Sequence, residues 1–153
     1  LAAPFADAIH TAVAPILAKI TPDMSDRQII ELCVRETVAR IDYEVSGGAS
    51  WANGKPTGDC ESYALMIQQL LAMADIPVIY MTGTTGLGPH AWLQVGIREG
   101  DDITWQIVDG TATEVGHNAI LSYAEHQSYM NYDGKINHHD VYAVAKALIS
   151  AAY

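Results

Sequence analysis

Three features of the sequence predict an α+β fold. Helical periodicity dominates up to about residue 74. Extended, apolar-rich stretches then follow in "IPVIYMTG", "HAWLQVGIR" and "ITWQIVD". The segments joining those stretches are short and rich in turn residues. The expected architecture is one central helix packed on an antiparallel sheet. At 153 residues without an internal repeat, the chain reads as a single domain over 1–153. Its parts are N-terminal helices over 5–41, a core over about 43–115, and a C-terminal helical segment over 117–153.

The elements follow in order. Phe5, Ile9, Val13, Leu17 and Ile20 share one helical face, and Pro15 should bend or split that helix. Ser25 and Gln28 form a capping-box pair that opens a second helix, running to about Ile41. Residues 43–59 are rich in Gly and Ser and predict a loop. A third helix begins near Cys60, with Tyr63, Ala64, Ile67, Leu70, Leu71 and Ala74 as a broad apolar stripe. "GTTGLGP", residues 83–89, predicts a loop between two strands. In the second of these, Ala91, Leu93, Val95 and Ile97 face one way and His90, Trp92 and Gln94 the other. "EGDD" is turn chemistry leading to the third strand.

Composition excludes some functions. A formal net charge of −10 with only eight Lys and Arg argues against nucleic acid as a partner, because phosphate binding needs a clustered basic surface. No apolar run reaches the roughly 18 residues of a membrane span. The Ala-rich start lacks a basic segment and does not read as an intact signal peptide. It fits trimming after export, hence a secreted, periplasmic or cell-surface location. Two cysteines make no disulfide framework, and no Cys/His spacing suggests zinc, so neither metal nor cofactor is expected.

The two thiols differ in setting. Cys33 lies mid-helix among aliphatic residues and reads as a small buried hydrophobe. Cys60 follows Gly58 and Asp59 at a helix start, where free N–H groups and partial positive charge favour a thiolate and can support an oxyanion. Asp59 and Glu61 would oppose the thiolate if they faced the sulfur, so a cationic partner is needed, usually histidine with an orienting third group. His10, His117, His126, His138 and His139 read as solvated surface. His90 starts a strand after a Gly/Pro loop, and Asp109 ends the next strand. A hairpin turning between Glu99 and Gly100 would set His90 and Asp109 directly opposite on one face, within reach of each other.

"GDCESYALMIQQLLAMADIPVIYMTG", "HAWLQV" and "WQIVDGT" together resemble the transglutaminase-like superfamily of papain-fold enzymes. The resemblance covers residues 56 to 113 and rests on motif order, spacing and the flanking Trp92 and Trp105. It implies a papain/transglutaminase-like core with Cys60 as nucleophile, His90 as general base and Asp109 as orienting acid. The implied reaction is acyl transfer on a protein or peptide substrate, with hydrolysis favoured over transamidation and no cofactor. The alternative is an inactive binding module that keeps these positions. Asp75 replaces the glycine that usually precedes "IPV", and Gly110 the usual proline after the aspartate. The second oxyanion donor is not fixed by the resemblance; Trp51 and Asn53 are candidates, and Trp92 is a further candidate for the cleft.

A separate, partial likeness lies in residues 129–140. Asn131, Asp133, Gly134, Ile136, Asn137 and Asp140 fall on positions of an EF-hand or dockerin calcium loop, but Tyr129 stands where the first carboxylate belongs. The simpler expectation is a "YDGK" turn leading into a terminal helix, with His138 and His139 diverging.

Overall fold

In the computed structural model of the protein, residues 11, 13–43, 57–86, 88–132 and 136–139 are described. Helix α1 spans Asp26–Arg40 and begins with the predicted capping box. The Ser25 hydroxyl accepts from the Gln28 amide, and the Gln28 side chain accepts from the Ser25 amide. Strands β1 (Asp42–Tyr43) and β2 (Thr57–Gly58) form a short parallel pair, which brings the chain to helix α2 at Cys60–Met73. Strands β3 (Val78–Thr85), β4 (Gly88–Glu99) and β5 (Asp102–Val108) follow. They are succeeded by the short helix α3 (Gly110–Glu114), helix α4 (Tyr123–Met130) and strand β6 (Asn137–His139). The sheet is antiparallel, with order β5-β4-β3-β6. Helices and an antiparallel sheet make this an α+β fold.

Both sheet faces are covered. Tyr63, Ile67, Leu70 and Leu71 of α2 pack with Ile30, Cys33 and Val34 of α1 against Ala91, Leu93, Val95 and Ile97 of β4. The opposite face carries a second core of Met81, Trp92, Ile107, Ala112, Leu121 and Met130. A bridge between Ile107 and Leu121 turns the chain after α3 back along β5, ahead of α4. The Ser122/Glu125 capping box then starts α4. At the end of α2, Asp75 adopts a left-handed φ of 61°. Ile76 N–H bonds to Leu71 C=O and Asp75 N–H to Ala72 C=O. This is a Schellman stop, and it explains why glycine would suit position 75.

Four expectations need correction. Residues 83–89 are not an open loop: β3 runs to Thr85, β4 starts at Gly88, and these two residues pair. Two threonines favour extended backbone, and Pro89 is tolerated at the strand end. The β4–β5 turn is centred one residue later than expected. Glu99 pairs with Asp102, and Gly100 takes a positive φ of 65° at the first loop position, as a two-residue hairpin allows. His90 and Asp109 are therefore not directly opposite; Asp109 lies just past β5, level with Trp92. Because the pairing moves by two residues, the two side chains stay on the same face. Residues 117–153 are not wholly helical, since Asn137–His139 pair with Thr82–Tyr80 of β3. That pairing also occupies the positions where an EF-hand's exiting helix would begin, whereas Asp133, Gly134 and Asp140 lie outside the described residues. Finally, His126 is buried, as set out below. Among the described residues, no helix is long and apolar enough to cross a membrane.

Candidate active site

Cys60 is the first residue of α2. Asp59 caps the helix, and one of its carboxylate oxygens accepts from the amides of Glu61 and Ser62 at 3.1 and 3.3 Å. Asp is a preferred cap because it satisfies donors that the first turn leaves open. The carboxylate is thereby engaged with its own helix.

His90, near the start of β4, places its Nε2 2.7 Å from Oδ2 of Asp109. Cys60 and His90 line the same cleft, and the Cys60 side chain helps set the imidazole's pKa. Burial alone would lower the imidazole's pKa. Hydrogen bonds to Asp109 and Cys60 outweigh that effect and raise it to about 9.

Asp109 caps α3 as Asp59 caps α2. Its Oδ1 accepts from the amides of Thr111 and Ala112 at 3.0 and 3.3 Å. Its Oδ2 takes His90 and also a second imidazole, His126, whose Nε2 is 2.7 Å away. Burial alone would raise this carboxyl. The hydrogen bonds from His126 and His90 prevail and hold it at about 2. His126 is fully buried, and its Nδ1 bonds the Tyr132 hydroxyl. The expectation of a solvated His126 is thus overturned: α4 folds over the second sheet face and carries the ring inward.

Trp92 stacks on His90, with ring centroids 5.8 Å apart, and on Tyr132 at 5.2 Å. It is buried behind the imidazole and does not line the cleft, because its side chain belongs to the second core. The cleft, about 580 Å³, has Asp59, Cys60 and Glu61 on one wall and Tyr80, Thr82–Thr84 and Pro89–Ala91 on the others. Tyr80 is a wall residue that the sequence marked only as strand. Burial, followed by the negative charges of Glu61, Cys60 and Asp59, pushes its phenol pKa up and keeps it protonated. Trp51 and Asn53 lie outside the described residues.

The donor atoms of His90, Asp109 and His126 lie within 4.8 Å of one another, close enough to hold a metal ion. In these contacts Asp109 Oδ2 accepts from both rings, so each Nε2 carries a hydrogen where a metal would need its lone pair. The arrangement can do proton chemistry: a carboxylate holds an imidazole, and a thiol lines the same cleft as that imidazole.

Gly110 fixes how closely this assembly packs. A Cβ at that position would sit 2.7 Å from Cβ of Tyr63. Gly110→Ala is expected to push α3 from α2, displace Asp109 and cost about 1–3 kcal/mol in urea denaturation. An unchanged midpoint and slope would show that the contact is slack.

No known protein family and no curated protein matches the sequence. Among solved structures, the chain is similar to one described as a TGase, with a TM-score of 0.54 and 17% sequence identity. The similarity covers 82% of this chain and 36% of that one, so the chain spans only part of its neighbour's length. At that identity the likeness is one of fold alone.

Proposed function

We propose that the protein is a thiol-dependent acyl-transfer enzyme acting on peptide or carboxamide bonds, with Cys60 as nucleophile, His90 as acid–base catalyst and Asp109 as the residue orienting His90. One observation supports the reading: an imidazole bonded through Nε2 to a buried carboxylate lines the same cleft as the Cys60 thiol. The similarity in fold to a TGase supports it.

His90 takes the thiol proton, and the sulfur attacks the carbonyl carbon. The tetrahedral oxyanion can draw on the Cys60 amide and the partial positive charge of the helix start. His90 then passes its proton to the nitrogen as the C–N bond breaks, releasing an amine and leaving a thioester. Water, deprotonated by His90, attacks the thioester, releases the carboxylic acid and restores the thiol. An amine in place of water would give transamidation; hydrolysis is the favoured fate.

p-Nitrophenyl acetate tests the reading without a known substrate. The expected result is a burst of close to one nitrophenolate per chain with acetyl on Cys60, lost in Cys60→Ser and slowed strongly in His90→Ala. Turnover with and without added cadaverine measures the partition between water and amine. No burst in the folded wild-type chain would make it an inert binding module on this fold.

A further inference from the structure

The His90–Asp109 contact is not a closed pair, because the same oxygen of Asp109 serves His126 at an equal 2.7 Å. A carboxylate oxygen only accepts, so both Nε2 atoms carry hydrogen. In neutral His126, Nδ1 is then an acceptor, and the Tyr132 hydroxyl donates to it. The hydrogen bonds run unbroken from Tyr132 through His126 and Asp109 to His90.

We infer that His126, polarised by Tyr132, is a positioning residue that acts on His90 through Asp109, sharing the carboxylate oxygen so that His90 can release its proton to the leaving amine. The inference rests on the acyl-transfer reading above. Two donors on one oxygen divide its electron density, so each is held less tightly than it would be alone. A lone Asp109–His90 pair in this buried setting would grip the imidazolium proton harder, and a general acid works best when its pKa lies near the working pH. Asp109 does not need His126 merely to stay in place, since Oδ1 is anchored by the amides of Thr111 and Ala112. A core-filling histidine would not need to aim Nε2 at the one oxygen that also serves His90. Among the described residues, the other titratable groups that act on this chain are Cys60 at the head of α2 and Tyr129 of α4, whose phenol feels the Asp109 charge.

Iodoacetate tests the idea. Being an anion, it is drawn to Cys60 while His90 is protonated, so its alkylation rate falls at high pH as the imidazolium is lost. His126→Leu is expected to move that upper limb upward by about 0.5–1 pH unit, because His90 becomes the sole donor to Oδ2. His126→Gln, which can donate to Asp109 and accept from Tyr132, should restore the wild-type midpoint. Tyr132→Phe, a milder change that keeps His126, should move it the same way by less. An unchanged or lowered midpoint in His126→Leu and Tyr132→Phe, with His90→Ala still abolishing the limb, overturns the role of His126 and leaves the acyl-transfer reading standing. An upper limb that survives His90→Ala overturns both.

Discussion

Iodoacetamide near pH 6 is expected to alkylate Cys60 and leave Cys33 untouched in the folded protein. Cys33 is fully buried between α1 and the core, and burial pushes its thiol up to about 12. At pH 6 its thiolate fraction is then on the order of one in a million, before any allowance for access. Cys60 lines the same cleft as His90 and is the first residue of its helix, where N–H groups stabilise negative charge. The preference should exceed about a thousandfold, and unfolding in denaturant should erase it, because only the environments differ. His90→Ala should slow the Cys60 reaction by about tenfold or more through loss of the imidazolium, and Asp109→Ala should slow it less. Peptide mapping that finds the two cysteines equally labelled in the native state would remove the thiol from the reaction. The same result would recast the domain as a binding module.

Much of this site can be read in the sequence because its determinants are local. The Ser25/Gln28 box, the helix start at Cys60 and the stripe from Tyr63 to Leu71 each act within a turn or two of helix, so spacing alone reveals them. The shared face of His90 and Asp109 survives for a related reason. Strand parity is a local property, whereas absolute register depends on which residues of "EGDD" make the turn. Gly100 settles that by accepting a positive φ, and neighbouring turn positions look alike in one dimension.

His126 shows what stays hidden. In "YAEHQSYM" nothing separates a buried histidine from a solvated one, since α4 is short and only weakly amphipathic. Its burial follows from the Ile107–Leu121 bridge and from the rings of Tyr132 and Trp92, and both Ile107 and Trp92 are distant in sequence. The available signal was the Ser122/Glu125 pair, which marks the start of α4 but not its inward face. β6 is hidden for the same reason: three residues become a strand only because the edge of β3 is there to pair with them.

Asp109→Asn is expected to be the most destabilising of the changes considered. The carboxylate accepts four hydrogen bonds, two imidazole N–H groups on Oδ2 and two backbone amides on Oδ1, and it is almost wholly buried. An asparagine amide fills the space but must turn its own N–H groups against one of those donor pairs. The cost should be about 3–5 kcal/mol, the range for breaking a buried charged contact from one side. The loss should also depend on pH. Asp109 is held at about 2, below its ordinary 3.8, so its contribution is complete above about pH 4 and lost as pH falls through 2. His90 is raised from 6.5 to about 9, so its contribution is complete below pH 6.5 and lost as pH rises through 9. The two shifts view one contact from its two sides and are not added. Urea denaturation from pH 3 to pH 10 should therefore find the gap between wild type and Asp109→Asn widest between about pH 4 and 6.5. By pH 10 it should be narrower by about 2–3 kcal/mol. Parallel stability curves across that range would mean that Asp109 and His90 do not form an ion pair in the folded protein. The proton chemistry assigned to His90 would then have no carboxylate behind it.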